Sequence, residues 1–426
     1  MTGLADCNNF FVSCERTVDR SLEGKAVVVG SNNDGCVVAR SNEAKALGIR
    51  MGQPVFEIRD LINSGKVIAI SGHHLLYREI SLRVHDIFRR YVPSTIDYSV
   101  DEAFLDVAGL PVEVLPEIGR EIYRACWEEE HIPVTIGFAK TKTLSKIVTE
   151  TCKKRREPVG LLVDKEEKMA ILRSLPISEL WGVGRRLTKR LYQSGVYTIA
   201  DFANKDRSWV RNLLGVNGER SWLELHGVKC IELSHVDRRL QDSISETRTF
   251  PEDINDFDYL RARIAIYGAD CAKKLRAMHG LCSLVSVFLR TNRFHPEKGV
   301  YSPEISMRLP RPSDDTMEIV NAGICGLEKI FNPQTLYKRA GIVLHEIIPA
   351  TSYVGSLFDD DTPAGRDDIS AGKDTPAVSS RLMNVVDRLN CNVGANVLKL
   401  ASQLTKGHPG HNDGYSSSFQ APFKGL

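Results

Sequence analysis

With 426 residues, 42% hydrophobic and 26% charged, the chain is long enough for roughly two to four domains, each with its own core. A formal net charge of +2 excludes a uniformly basic or acidic protein, so only local clustering can point to a charged partner. Ten scattered cysteines without a CxxC pair, and no apolar run near the ~20 residues that cross a bilayer, set aside a zinc module, a disulfide framework and a membrane span.

The opening "MTGLADCNNFF" lacks the basic start and long apolar core of a signal peptide, so a cytoplasmic protein with reduced cysteines is expected. "TGLADC" reads as a short strand closed by Asp6. "KAVVVGSNNDGCVVAR" reads as two β-branched runs around an Asn-Asp-Gly turn. Leu76, Ile80, Val84 and Ile87 form one helical stripe, and Leu115, Ile118, Ile122 and Ala125 a second. "TIDYSV" and "AFLDV" are strands with Asp101 and Glu102 at the turn between them, and "VTIGFA" is a further strand. These alternating signals predict an α+β layer with a mainly antiparallel sheet.

From Lys165 to Cys230 the pattern becomes helical, with "WGVGRRLTKRL" and "LLGVNGERSWLELHG" as two helix pairs punctuated by glycine. "SHVDRRLQD" reads as a linker. Ser243 to Pro349 predicts a four-stranded sheet backed by two helices, the first carrying apolar Leu260, Ile264, Tyr267, Cys271 and Leu275. Beyond Pro349, a segment rich in Asp, Gly, Pro and Ser is expected to be flexible, followed by a helical stretch from Arg381 to Leu389.

The chemistry concentrates in "SVDEAF". Two adjacent acids in an apolar run repel one another unless a cation sits between them. Together with Asp6 they make three carboxylates from two strand ends, a set suited to two Mg²⁺ ions and in-line phosphoryl displacement. The plainer reading is three solvated strand-end acids. Phe10 and Phe11 follow Asp6, where a ring under a nucleotide sugar leaves no room for a 2′-hydroxyl; the alternative for either ring is the core.

Lys140, Lys142, Lys146, Lys153 and Lys154 follow the "VTIGFA" strand, and Lys146 and Lys153, seven residues apart, share a helix face. A face like this suits a triphosphate or a nucleic-acid backbone, although most basic helix faces are only solvated. From Lys140 to Gly227 there are 18 Lys and Arg against 10 Asp and Glu, so basic charge gathers in this part. Glycines just before helices, in "LWGVGRRL" and "LLGVNGER", let backbone N–H groups reach a phosphate, and the pair reads as a helix-hairpin-helix gripping DNA.

"DCNNFFVSCE", "SNNDGCVVARSNEAKALGIRMG", "YSVDEAFLDV", "GFAKTKTLSKIVTE" and "LWGVGRRLTKRL" resemble, in order and spacing, the motifs of the Y-family DNA polymerases, and "SNNDGCVVAR" resembles the UmuC-type catalytic subunits of DNA polymerase V. The resemblance spans roughly the first 350 residues. It implies a right-hand polymerase: a ferredoxin-like palm (1–10 and 74–164), small fingers (11–73), a helix-hairpin-helix thumb (165–231), a linker (232–240), an α/β little finger (241–349) and a flexible tail (350–426).

On this sequence the resemblance implies that Asp6, Asp101 and Glu102 hold two Mg²⁺ ions, assisted by the Cys7 carbonyl. Phe11 is the implied steric gate beside Phe10, Lys45 and Lys153 the triphosphate contacts, and Gly182, Gly184, Arg185, Arg248, Arg290 and Arg308 the DNA contacts. The implied activity is error-prone, template-directed synthesis across lesions in an SOS-type response, in a bacterial, nucleoid-associated setting. Implied partners are primer–template DNA, dNTPs, a processed UmuD-type subunit, a recombinase filament and a sliding clamp reached through Leu357 and Phe358.

The chain departs from the family pattern in three places: Phe11 stands where many relatives have Tyr, Asn42 where many have Tyr, and Val354 where the clamp peptide has Gln. Two other readings of the acids stay open, a nucleotide cyclase-like phosphotransferase and a non-catalytic scaffold for damaged DNA.

Overall fold

Thr2–Cys7 (β1) is buried from Gly3 onward on both faces, so it can only be an inner strand. After it come α1 (Phe10–Val18), β2 (Val27–Gly30), β3 (Val37–Arg40), α2 (Asn42–Ala46), α3 (Arg59–Asn63), β4 (Ile68–Ser71) and α4 (His74–Tyr91). The run continues with β5 (Ser94–Asp97), β6 (Glu102–Asp106), α5 (Leu115–Glu130), β7 (Val134–Ala139), α6 (Lys142–Arg155) and β8 (Val159–Leu161). The computed structural model describes residues 1–32, 35–232, 241–353, 383, 385–390 and 398–403. These fall into two units, one up to residue 232 and one from residue 241.

The larger sheet of the first unit has the order β5-β6-β1-β7-β8, with β1 antiparallel to both neighbours. Alternation sorts its two faces. Ala5, Cys7, Ala103, Leu105, Ile136 and Phe138 share a core with Ile80, Val84 and Ile122 of α4 and α5. The opposite face receives α6, whose Ser145 and Thr149 hydroxyls donate to the Thr2 and Leu4 carbonyls at 2.7 and 3.2 Å. Gly137 permits that approach, since a Cβ there would stand 2.5 Å from the Thr149 nitrogen. Both predicted stripes are helices of this layer, α4 and α5.

A second sheet, β3-β2-β4, closes over Val28, Val37, Ala44, Ile49, Val55 and Ile58. Its two β-branched runs pair antiparallel as expected, while β4 joins β2 in parallel, a strand the sequence reading did not anticipate. Asn33 and Asp34 of the predicted turn lie outside the described residues.

The helical stretch holds α7 (Lys165–Ser174), α8 (Arg185–Gln193), α9 (Ile199–Ala203) and α10 (Arg207–Leu225), the last broken at Gly215 with φ 71°. Ile171, Leu172, Ile177, Leu180, Leu191, Ile199 and Phe202 form its core together with Leu144, Ile147 and Val148 of α6. Glu224 is buried and fastens the end of this stretch to α6. Its carboxylate accepts from the Thr143 N–H at 2.9 Å and from the Cys230 and Ile231 N–H groups at 3.2 and 3.3 Å.

The second unit contains β9 (Ser243–Ile254), α11 (Phe257–Ala277), β10 (Gly280–Arg290), β11 (Glu304–Ser313), α12 (Thr316–Ile330) and β12 (Tyr337–His345). The sheet order is β11-β10-β12-β9, with both helices on one face, as predicted. Leu260, Ile264, Tyr267, Cys271 and Leu275 are all buried there. Of the predicted helix Arg381 to Leu389, Met383 and residues 385–389 are described and helical, while Arg381, Leu382 and Asn384 lie outside the described residues. Asp387 pairs with Arg276 of α11, accepting at 2.7 and 3.0 Å. Among the described residues the cysteines are free, and no helix is long and apolar enough to cross a membrane.

Candidate active site

The register of β1 against β6 sets Asp6 opposite Glu102. Both lie on the face that receives α6, because Thr2, Leu4 and Asp6 alternate with the residues of the other core. Lys146 and Lys153 project from α6 onto that pair. Lys153 Nζ stands 2.5 Å from Asp6 Oδ2, and Lys146 Nζ stands 2.5 Å from Glu102 Oε1.

Asp6 is only 5% exposed. Burial pushes its carboxyl up to about 8; Lys153 opposes that shift, and the adjacent Glu102 carboxylate reinforces it. Glu102 is held below the usual carboxylate range despite burial, because it accepts from Asp6 and pairs with Lys146. Lys153 stays above its ordinary value: burial works against its charge, and Asp6 and Glu150 outweigh burial.

Asp101 occupies the turn beside them. Its carbonyl accepts from the Cys7 N–H at 2.8 Å, which ties the turn to the end of β1. Its carboxylate accepts from the Ser99 hydroxyl at 2.5 Å, while that oxygen also accepts from the Asp101 and Glu102 N–H groups. Asp6 and Glu102 are thus brought together, and Asp101 is held one residue away on its own turn. Among the described residues no three metal-binding side chains converge as they stand. The donor set fits hard divalent cations all the same: it is all oxygen, and Asp6 and Glu102 sit in a part-buried place where two lysines balance their charge.

Asn9 turns the chain from β1 into α1 in the left-handed region, φ 51°. Phe10 thereby enters the core, 3% exposed, and Phe11 is left half-buried. Phe11 stacks on Tyr77 with ring centroids 4.4 Å apart and planes 13° apart. Burial pushes the Tyr77 hydroxyl up, as does its hydrogen bond at 2.5 Å to buried Glu15, which also meets His73 at 2.8 Å. Lys45 Nζ donates to Asn9 at 2.6 Å and to Asn42 at 3.3 Å. Its pKa is lowered by burial first, then by Arg40 and Lys153, so three cations share this side of the site.

Gly182, at φ 86°, and Gly184, the N-cap of α8, precede Arg185, and no side chain caps that helix end. The first N–H groups of α8 are therefore free to meet an anion. In the second unit Arg290 and Arg308 lie on the sheet face that the helices leave open. Arg290 pairs with Glu304 at 2.6 Å, and Arg308 with Glu346 at 2.8 Å. Arg248 departs from the expectation: it alternates in step with buried Ile244 and Phe250, and with Glu246, whose partner is Lys274 of α11. It therefore stands on the helix-backed face. The open face carries Arg339 instead, opposite Arg290 and hydrogen-bonded to Thr247 at 2.8 Å, a residue the sequence reading missed although strand parity could have found it. Leu357 and Phe358 lie outside the described residues.

Three family models match the chain: the impB/mucB/samB family over residues 5–150, its helix-hairpin-helix motif over 165–196 and its C-terminal domain over 241–357. The protein UmuC of Salmonella typhimurium is 34% identical over 409 residues, 95% of this chain and 93% of the relative. The chain belongs to the impB/mucB/samB family, the UmuC-type Y-family polymerases. DNA polymerase IV 1 of Halalkalibacterium halodurans is 30% identical, covering 80% of this chain and 81% of its own. The fold is that of a solved Y-family DNA polymerase chimera of Dbh and Dpo4, with a TM-score of 0.66 and 21% identity over 82% of this chain and 99% of that one. This family member is accordingly a DNA-directed DNA polymerase of translesion synthesis, built on the right-hand polymerase fold.

Proposed function

We propose that Asp6, Asp101 and Glu102 are the catalytic acids of an error-prone, template-directed polymerase that joins a dNTP to a primer 3′-hydroxyl. The observation that carries this reading is the Asp6–Glu102 register with Lys153 and Lys146 set against the two carboxylates. Asp6, Asp101, Glu102 and the Cys7 carbonyl would hold two Mg²⁺ ions, which would supply activation of the hydroxyl and neutralisation of the leaving pyrophosphate. Lys153 and Lys45 bind the triphosphate, and Lys153 exchanges Asp6 for phosphate oxygens when the nucleotide enters. Phe11, held flat on Tyr77, blocks a 2′-hydroxyl.

In this reading the larger sheet is the palm, the three-stranded sheet the fingers, the helical stretch the thumb and the second unit the little finger. Primer–template DNA is gripped through its backbone by Gly182, Gly184 and Arg185, and by Arg290, Arg308 and Arg339 on the open face. The resemblance to UmuC-type subunits supports a processed UmuD-type subunit, a recombinase filament and a sliding clamp as partners. It likewise supports a role at the bacterial nucleoid.

Template dependence separates this reading from a cyclase-like phosphotransferase or a DNA-binding scaffold. Each dNTP is offered singly on four templates that differ at one base, with any partner subunit supplied. Incorporation that follows the template is expected; products formed without a template, or none with every partner present, would overturn the reading.

A further inference from the structure

The glycine loop and the catalytic turn are joined by one tryptophan. Trp181 directly precedes Gly182, and its indole N–H donates to the Tyr98 hydroxyl at 3.0 Å. The two rings meet edge to face, with centroids 5.5 Å apart at 87°. Trp181 also lies 5.8 Å from Phe104, a buried ring of β6. Tyr98 in turn carries the Lys146 ammonium 5.3 Å from its ring centroid, and that ammonium is the partner of Glu102. Contacts thus run unbroken from the loop that meets the DNA backbone to a catalytic carboxylate.

Tyr98 is 37% exposed, and its ring is held on its inner side by Trp181 and by an edge-to-face contact with Phe104, centroids 5.6 Å apart. Its backbone leads straight into the turn, with the Tyr98 and Ser99 N–H groups both donating to the Glu102 carbonyl at 3.0 Å. A ring free to rotate would release Lys146 from its face and leave Glu102 with a mobile counter-ion.

We propose that Trp181 is a positioning residue that couples the hairpin's hold on DNA to the placement of Tyr98, Lys146 and Glu102. The proposal rests on Asp6, Asp101 and Glu102 being the catalytic acids. DNA seated on the glycine loop keeps Trp181 against Tyr98, and Tyr98 keeps Lys146 on Glu102, so an enzyme without a seated primer–template has a looser site.

The test uses the full chain, with any partners it needs, in three variants: Trp181→Phe, which removes the donor and part of the indole's contact with Tyr98 and Phe104, Tyr98→Phe, which removes only the acceptor, and the double variant. Primer–template affinity is read by anisotropy without metal, and the incorporation rate by single turnover at saturating DNA and dNTP. Each single variant is expected to slow incorporation about threefold to tenfold, the worth of one hydrogen bond, with affinity changed less than about twofold. The double variant is expected to be no slower than Trp181→Phe, because once the donor is gone the Tyr98 hydroxyl has no bond left to lose. The emission present in the wild type and absent in Trp181→Phe should shift when DNA binds without metal, and Tyr98→Phe should reduce that shift.

Additive losses, an affinity loss at unchanged rate, or an unmoved indole signal would overturn the proposal. If Trp181→Phe does not fold, Tyr98→Phe and its emission decide the matter alone. Normal rates in these variants beside an inactive Asp101→Ala/Glu102→Ala protein would sink the coupling and leave the catalytic acids standing; activity in that acid variant would sink the reading beneath it.

Discussion

Lys153 Nζ lies 2.5 Å from Asp6 Oδ2, so the cation proposed for the incoming triphosphate is the ion-pair partner of a proposed catalytic acid. Lysine and acid are therefore tied to the same event, nucleotide entry. Lys153→Ala should raise KM for every dNTP by about tenfold to a hundredfold, the worth of a charged hydrogen bond, with a smaller fall in kcat. Steady-state kinetics at saturating Mg²⁺ checks this. An unchanged KM would show that Lys153 serves Asp6 alone.

The same pair governs stability. Asp6 titrates in the folded protein at about 8, above the ordinary carboxylate value. A raised folded pKa means that the native state holds the proton more tightly than the unfolded chain. The cost of burying the ionised group is therefore absent at low pH, grows as pH rises from the ordinary carboxylate value to about 8, and is constant beyond. Asp6→Asn should melt above the wild type in EDTA at pH 8, by a margin that shrinks toward pH 5, while losing polymerase activity. Melting curves at the two pH values decide it, and equal melting at pH 8 would contradict the assignment.

Sugar discrimination should depend on a stack rather than on one ring. Phe11→Ala should raise the use of ribonucleotides relative to dNTPs at least about tenfold. Tyr77→Leu, which removes the surface under Phe11, should raise it less. The ratio of kcat/KM for rCTP and dCTP is the measurement, and a Phe11→Ala enzyme that still excludes rCTP would end the steric-gate reading.

Much of this site was legible before any coordinates. Adjacent acids inside an apolar strand announce a cation, and a seven-residue lysine spacing places Lys146 and Lys153 on one face. What the sequence could not give was register: Asp6 meets Glu102 only because β1 and β6 pair as they do. Nor did it show that both lysines meet the acids, since that depends on which face of the sheet receives α6. Trp181 and Tyr98 are 83 residues apart, and no local pattern joins them. Arg248 is a different case, because its step with Ile244 and Phe250 was readable and went unused.

The close approach at Gly137 offers a check on the fold itself. Gly137→Ala would press a methyl group against the Thr149 backbone 2.5 Å away, lifting α6 and its two lysines from the sheet. A loss of roughly 1–3 kcal/mol in stability is expected, by the overpacking scale. Denaturant unfolding measures it, and a neutral substitution would show that α6 does not lie against β7 as described.

The most direct measurement is primer extension on undamaged and abasic templates with Mg²⁺ and the partner subunits, comparing the wild type with Asp101→Ala/Glu102→Ala. Short, template-directed products that pass the abasic site in the wild type and vanish in the variant are predicted. Extension that persists in the variant would contradict the assignment of the turn at Asp101 and Glu102 as the catalytic centre.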